Sequence, residues 1–185
     1  MTALRRPRLT QTDWLVAGID TLCDRGPGAL GAEPLARRMG TTKGSFYWHF
    51  IDVPAYNQAL LDLWASEARA ALDAATNALA DTARLRESAQ DIAATARSET
   101  AALRAESAIR AWAGDDPLAA RTVQGVDEMR LARLHALLSA CGIGNPEMAR
   151  ILYASAIGMQ ALRDRDADQN AAAIGSLVDL VLALR

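Results

Sequence analysis

The chain has 185 residues, of which 51% are hydrophobic, with 20 Lys+Arg against 22 Asp+Glu, six prolines and twelve glycines. That is enough apolar material for one or two domains with a real core, and it excludes a low-complexity or disordered chain. Charge is uneven: residues 1–50 hold seven basic and four acidic side chains, a net of +3, while the rest carry a net of −5, so an anionic partner suits the first segment alone.

The N-terminus, MTALRRPRLT, has arginines but no apolar segment of the kind a secretory signal needs. Residues 10–25 read as a helix. Thr10 is a good N-cap with Asp13 three positions on, and Leu15, Ile19 and Leu22 share a face with Trp14 and Gly18 beside them. Gly26-Pro27-Gly28 ends it. A short helix follows at 33–39, with Leu35 and Met39 inward and Arg37 and Arg38 outward; Gly40 supplies a left-handed stop. Thr41 or Thr42 then caps a third helix running to Phe50. Two short helices joined by a tight glycine turn, behind a longer first helix, make a helix-turn-helix unit.

Asp52-Val53-Pro54 starts a long fourth helix over 53–79. Ala-rich helices are expected at 82–98 and 101–113, where Asp115-Asp116-Pro117 breaks the chain. Three more are expected at 117–140, 146–163 and 169–184, the last two joined by the polar stretch Asp164 to Asp168. No strand pattern and no repeat occurs. No run reaches the roughly eighteen apolar residues of a membrane span. Cys23 and Cys141 lie far apart without metal-ligand spacing, which fits two reduced, buried thiols. The expected architecture is all-α: an N-terminal three-helix helix-turn-helix domain over 1–52 and a helical body over 53–185. The protein is expected to be cytoplasmic, with no membrane partner, no cofactor and no metal.

The stretch TTKGSFYWHF, residues 41–50, concentrates the chemistry. It holds four of the nine aromatic residues, the only lysine and one of two histidines. On a helix, Phe46 and Phe50 share the face that must enter the core. Gly44, Ser45 and Trp48 form the opposite face, flanked by Tyr47 and His49. A glycine that permits close approach, short hydroxyls, Lys43 and outward rings suit a helix laid in a DNA major groove. By spacing alone, Tyr47 and Trp48 could equally pack on the fourth helix.

The segment LARRMGTTKGSFYWHF resembles the helix-turn-helix of the tetracycline-repressor (TetR) family of transcriptional regulators. That family shows a pattern like L-A-x-x-x-G-[VT]-[ST]-x-[GP]-[ST]-[LF]-Y-x-[HY]-F. Leu35, Ala36, Gly40, Thr41, Thr42, Gly44, Ser45, Phe46, Tyr47, His49 and Phe50 match it. The resemblance covers about the first fifty residues. It implies a homodimer whose recognition helices enter the two halves of a palindromic double-stranded DNA operator, contacted by Thr42, Lys43, Gly44, Ser45, Tyr47, Trp48 and His49. Two positions depart from the pattern. Val53 stands where the family often has a phosphate-binding lysine, and Gly31 and Ala32 where it often has a phosphate-binding hydroxyl. Arg5, Arg6 and Arg8 offer compensation from an arm in the minor groove, the alternative being a solvated tail.

The resemblance further implies a small-molecule effector held by the body, and a four-helix bundle between two copies. Trp64, Trp112, Met129, His135, Tyr153, Met159 and Gln160 have polar or polarisable tips near apolar stripes and are the candidate pocket residues. Few polar residues lie along those stripes, so a hydrophobic effector is expected. Ile174, Leu177, Val178, Val181 and Leu182 make a clean stripe, and Ala154, Ala156 and Gly158 permit close helix contact. These residues are assigned to the dimer interface, with an intramolecular core as the alternative. An enzyme is disfavoured, because two histidines, no HExxH and no glycine-rich phosphate loop leave little catalytic material. A helical interaction or scaffold protein, or a ligand-binding bundle without DNA switching, is the competing class.

Overall fold

A computed structural model of the chain describes residues 9–74, 80–95, 98–162 and 167–183. The described residues form ten α-helices and a 3-10 turn at Pro27–Ala29, with no strand. The helices are α1 (Gln11–Arg25), α2 (Ala32–Arg38), α3 (Lys43–Tyr47), α4 (Val53–Ala74), α5 (Asp81–Ala93), α6 (Ala101–Arg104), α7 (Glu106–Trp112), α8 (Pro117–Ala140), α9 (Pro146–Gln160) and α10 (Ala167–Leu182). The all-α expectation stands. None of these helices is long and apolar enough to cross a membrane.

Local chemistry accounts for most of the boundaries. Thr10 and Asp13 close a full capping box on α1: the Asp13 amide donates to Thr10 Oγ1 at 3.2 Å and the Thr10 amide to Asp13 Oδ2 at 2.7 Å. The Thr10 amide first, and then the Thr10 hydroxyl, which donates to Asp13 Oδ2 at 2.8 Å, hold the Asp13 carboxyl below its usual range. Asp52 caps α4 by accepting from the Ala55 amide, and Asp116 caps α8 by accepting from Leu118 and Ala119. Gly40, at φ +63°, makes the turn between α2 and α3, where a side chain would be strained.

Three expectations are corrected. The helix expected over 101–113 is broken at Ala105, because Glu106 is drawn inward and the Arg104 guanidinium donates to the Ser98 and Glu99 carbonyls. The recognition helix stops at Tyr47, though the Phe50 amide still donates to the Phe46 carbonyl at 3.1 Å and keeps one helical turn. Cys23 is exposed; only Cys141 is buried, and both are free thiols. Residues 75–79 of the expected fourth helix, 96 and 97 of the helix expected over 82–98, 163 of the helix expected over 146–163, 164–166 of the linker and 184 of the last helix lie outside the described residues.

Two apolar cores meet at a seam. The first joins α1 to α4 with α6, α7 and the N-terminal half of α8, through Trp14, Phe46, Tyr56, Trp64, Ile109 and Val126. The second joins α5, α9 and α10 with the C-terminal half of α8, through Leu85, Leu134, Leu152 and Ile174. The first core runs past residue 52 without interruption, so helices of the body cover the helix-turn-helix unit directly.

α1 and α4 cross closely at Gly18. Tyr56, fully buried, donates its hydroxyl to the Trp14 carbonyl at 2.9 Å. A Cβ at Gly18 would lie 1.7 Å from that hydroxyl oxygen. Burial raises the Tyr56 pKa, so the group stays a neutral donor. Gly18→Ala should therefore separate α1 from α4 and cost about 1–3 kcal/mol or more of stability, as overpacking does. Urea denaturation checks this, and in a Tyr56→Phe background the same substitution should cost less.

Candidate nucleic-acid interface and effector cavity

The helix-turn-helix unit is built from its buried rings. Phe46 is fully buried and packs edge-on against Trp14, with centroids 5.4 Å apart. It also meets Phe50 at 5.2 Å and Tyr56 at 5.2 Å. Leu35 and Ala36 of α2 close the same core. This packing fixes the rotation of α3 about its own axis, and the remaining residues of TTKGSFYWHF must then point outward.

Tyr47 is 45% exposed and Trp48 81% exposed, so neither is covered by α4. Lys43 Nζ lies 5.8 Å above the Tyr47 ring, a cation–π contact that holds the lysine along the open face. Thr42 caps α3 by accepting from the Ser45 amide. A Cβ at Gly44 would meet only Thr42 Oγ1, at an ordinary 3.8 Å, so nothing inside the chain requires a glycine there. His49 is half-buried at the edge. The seven residues singled out from the sequence thus lie on one short helix, its N-cap and the turn after it. Ile51, 85% exposed, extends the patch and was missed; its place four residues after Tyr47 was the available signal.

Arg37 pairs with Glu33 and Arg38 with Asp24, so both arginines of α2 have acidic partners in the same unit. Arg5, Arg6 and Arg8 lie outside the described residues. Val53 packs against the first core, and Gly31 begins α2 without a side-chain cap, so neither departure from the family pattern is made good locally.

A buried polar cluster occupies the seam. Glu106, 1% exposed, accepts from Trp64 Nε1 at 3.2 Å, from Arg110 Nε at 2.8 Å and from both terminal nitrogens of Arg130. Arg110 also donates to both carboxylate oxygens of Asp127 and to the Tyr153 hydroxyl, which itself donates to Asp127 at 2.6 Å. Burial opposes the charge of Arg110 and Arg130, but the surrounding carboxylates outweigh it and raise both pKa values. Burial pushes the Tyr153 hydroxyl up to about 12.

Beside this cluster lies a cavity of about 490 Å³. Ala68, Ala71 and Leu72 of α4, Leu103 of α6 and Ile92 of α5 form its apolar walls. Ser88, Gln90, Asp91, Thr95, Ser98 and Arg130 contribute polar lining. None of the seven candidate pocket residues lines it. Trp64 and Tyr153 belong to the polar cluster, and Trp112 and Met129 pack in the first core. Met159 packs against the second core, Gln160 donates to the Ile92 carbonyl, and His135 is half-buried with Nδ1 unpartnered. The wall is therefore more polar than the stripes implied, because Ser88 and Asp91 of α5 and Thr95 just after it take part in the lining.

No family model and no curated protein matches the sequence. Solved structures do match the fold. A transcriptional regulator from Rhodococcus sp. Rha1 superposes with a TM-score of 0.76 at 18% identity, over 95% of this chain and 97% of that one. A Rhodococcus protein assigned to the TetR family gives 0.72 at 15% identity, over 93% and 98%. Salmonella enterica GusR gives 0.71 at 21%, over 98% and 97%. The chain has the fold of a TetR-type regulator. The likeness spans head and body, whereas the sequence pattern covered only the head.

Within this TetR-type fold, the stripe assigned to a partner copy is covered by the chain itself. Ile174, Val178 and Val181 are buried, and Leu177 and Leu182 are half-buried against the second core. Ala156 is buried too. The cover is α5, which approaches α10 at Gly175, where Gln90 donates to the Ala171 carbonyl and Arg86 pairs with Asp179. Ala154 and Gly158 remain exposed.

The two kinds of ring in the head should separate in stability measurements. Phe46→Ala should cost about 3–5 kcal/mol, while Trp48→Ala should stay within about 0.5 kcal/mol of the parent. Denaturant midpoints for the two variants decide whether the patch is surface or core.

Proposed function

We propose that the protein is a DNA-binding transcriptional regulator of the TetR type, acting as a repressor that is released by a small-molecule effector. Residues 1–52 form the DNA-binding head and residues 53–185 the effector-binding and dimerisation body. The observation that carries this reading is the outer face of α3. Two large rings, a lysine held along them and a glycine without an internal role stand exposed on a rigid core. Thr42, Lys43 and Ser45 reach base edges or phosphates; Tyr47 and His49 hold phosphate oxygens; Trp48 packs on thymine methyls; and Gly44 lets the backbone approach.

The dimer forms through the outward faces of α9 and α10. Ile151, Leu162 and Leu180 are 47%, 51% and 62% exposed, beside the small residues Ala154 and Gly158. Two heads in such a dimer fit successive major grooves only when about 34 Å apart along the DNA, or a multiple of that. The effector acts through α4, which carries Tyr56 at the head, Trp64 at the seam and Ala68 to Leu72 at the cavity. Tyr56 and Leu72 are about 24 Å apart along the axis at ~1.5 Å per residue. A ligand that shifts the cavity end of this rod therefore moves the head. By linkage, operator DNA must weaken that ligand by the same factor.

Selection from a random DNA pool should return a palindrome whose half-sites are one helical turn, or a whole multiple of it, apart, with affinity falling steeply with salt. Binding that ignores salt would indicate a protein partner for the aromatic patch instead. Tyr47→Ala should weaken operator binding by about 1–3 kcal/mol per half-site, without unfolding the head. In light scattering, the parent should be a dimer and Ile151→Arg with Leu180→Arg a monomer; a double variant that stays dimeric would move the interface elsewhere.

A further inference from the structure

Three features of the body are left unexplained by DNA recognition: the cavity, the buried polar cluster and the exposed face of α9 and α10. The cavity carries furthest, because its chemistry is asymmetric. One side is apolar, from α4 and Leu103. The other is polar, from Ser88 and Asp91 of α5 and Thr95 just beyond its end.

The charges on that lining do not cancel. Arg130 brings a positive charge, but both its terminal nitrogens are engaged by Glu106. That pair is internally neutral, and Arg110 with Asp127 extends it without excess. Asp91 has no cationic partner among the described residues, and Glu87, one turn earlier, has a buried carboxylate oxygen with no hydrogen-bond donor. Independently, Ser88, 2% exposed, lines the cavity with its hydroxyl unpartnered. A buried hydroxyl without a partner costs free energy that a ligand group can recover.

We infer that the cavity binds an amphipathic organic cation, a primary or substituted ammonium with an apolar body, whose charged end is taken by Asp91 and the Ser88 hydroxyl. The apolar body lies against Ala68, Leu72 and Leu103. Asp91 lines the cavity from a position that water still reaches, and partial loss of water around its carboxyl, reinforced by the negative charge of Glu87, raises its pKa. The volume falls in the range of small-molecule sites. This deepens the reading of the body as an effector-binding module and rests on it.

Three probes of one shape and different charge test the inference: 4-phenylbutylammonium, 4-phenylbutanol and 4-phenylbutyrate. Each is titrated calorimetrically into the full-length protein without DNA. The ammonium should bind tightest. Asp91→Asn should weaken it about ten-fold, to the level of the alcohol, and leave the alcohol unchanged. Asp91→Glu should keep the preference for the cation, and Ser88→Ala should weaken the cation by a smaller factor. Circular dichroism confirms that each variant is folded. Tightest binding of the carboxylate would show that Arg130 sets the ligand charge and would overturn the inference. So would an unchanged ammonium affinity in Asp91→Asn, or no saturable binding of the ammonium at millimolar concentration. Because DNA is absent from the titration, a failed operator selection leaves this result standing, and a failed titration leaves DNA recognition standing.

Discussion

A single buried carboxylate organises the molecule. Glu106 is almost wholly removed from water, and an isolated ion in that position would cost several kcal/mol. It is tolerated because α4, α7 and α8 each deliver a donor: Trp64, Arg110 and Arg130. Those helices can meet in only one register that satisfies the carboxylate. The pairing thus contributes specificity more than net stability, since a buried ion pair replaced by apolar groups is often no less stable. The break of the chain at Ala105 belongs to the same constraint, because it lets α7 start with Glu106 pointing inward.

The cluster also explains why two apolar cores coexist in one chain. Along α8, Val123 and Val126 face the first core, Arg130 the seam, and Leu134 and Leu138 the second core. A polar layer between two apolar bodies gives each its own packing and ties them through hydrogen bonds with defined geometry. Arg130 touches the cavity as well as Glu106, and Glu106 touches Trp64 of α4. The cavity and the head-bearing rod are therefore joined by a short chain of direct contacts.

Legibility in the sequence differed sharply between head and body. The head was readable because its signals are local. A capping box, a left-handed glycine and rings four residues apart each depend on neighbours within one or two turns. Once Phe46 and Phe50 enter the core, the outward direction of Tyr47 and Trp48 follows from the helical period. The body was readable only as helices. Periodicity shows that Ile174, Val178 and Val181 share a face, but not what covers it. The assignment to a partner copy assumed a thin neighbour layer; within the chain α5 packs on the stripe, where Ile174, Val178 and Val181 are buried and Leu177 and Leu182 half-buried. The candidate pocket residues were chosen for their polar tips, and that rule selected Trp64 and Tyr153, whose tips are spent on the buried cluster.

The sequence by itself determined the helical class, most helix termini and the face of α3 that is free to meet a partner. Each of these is a contest among a few adjacent residues, settled by capping, glycine conformation and the 3.6-residue period. Only the tertiary structure decided where the cavity lies, that Glu106 and Arg130 meet across 24 positions, and that α5 packs on the stripe of α10. Those outcomes depend on which helices become neighbours, and helix–helix packing among so many alanine- and leucine-rich surfaces is nearly degenerate in sequence. The degeneracy is lifted by a few desolvated charges and close contacts, whose partners lie too far along the chain for any local pattern to link them.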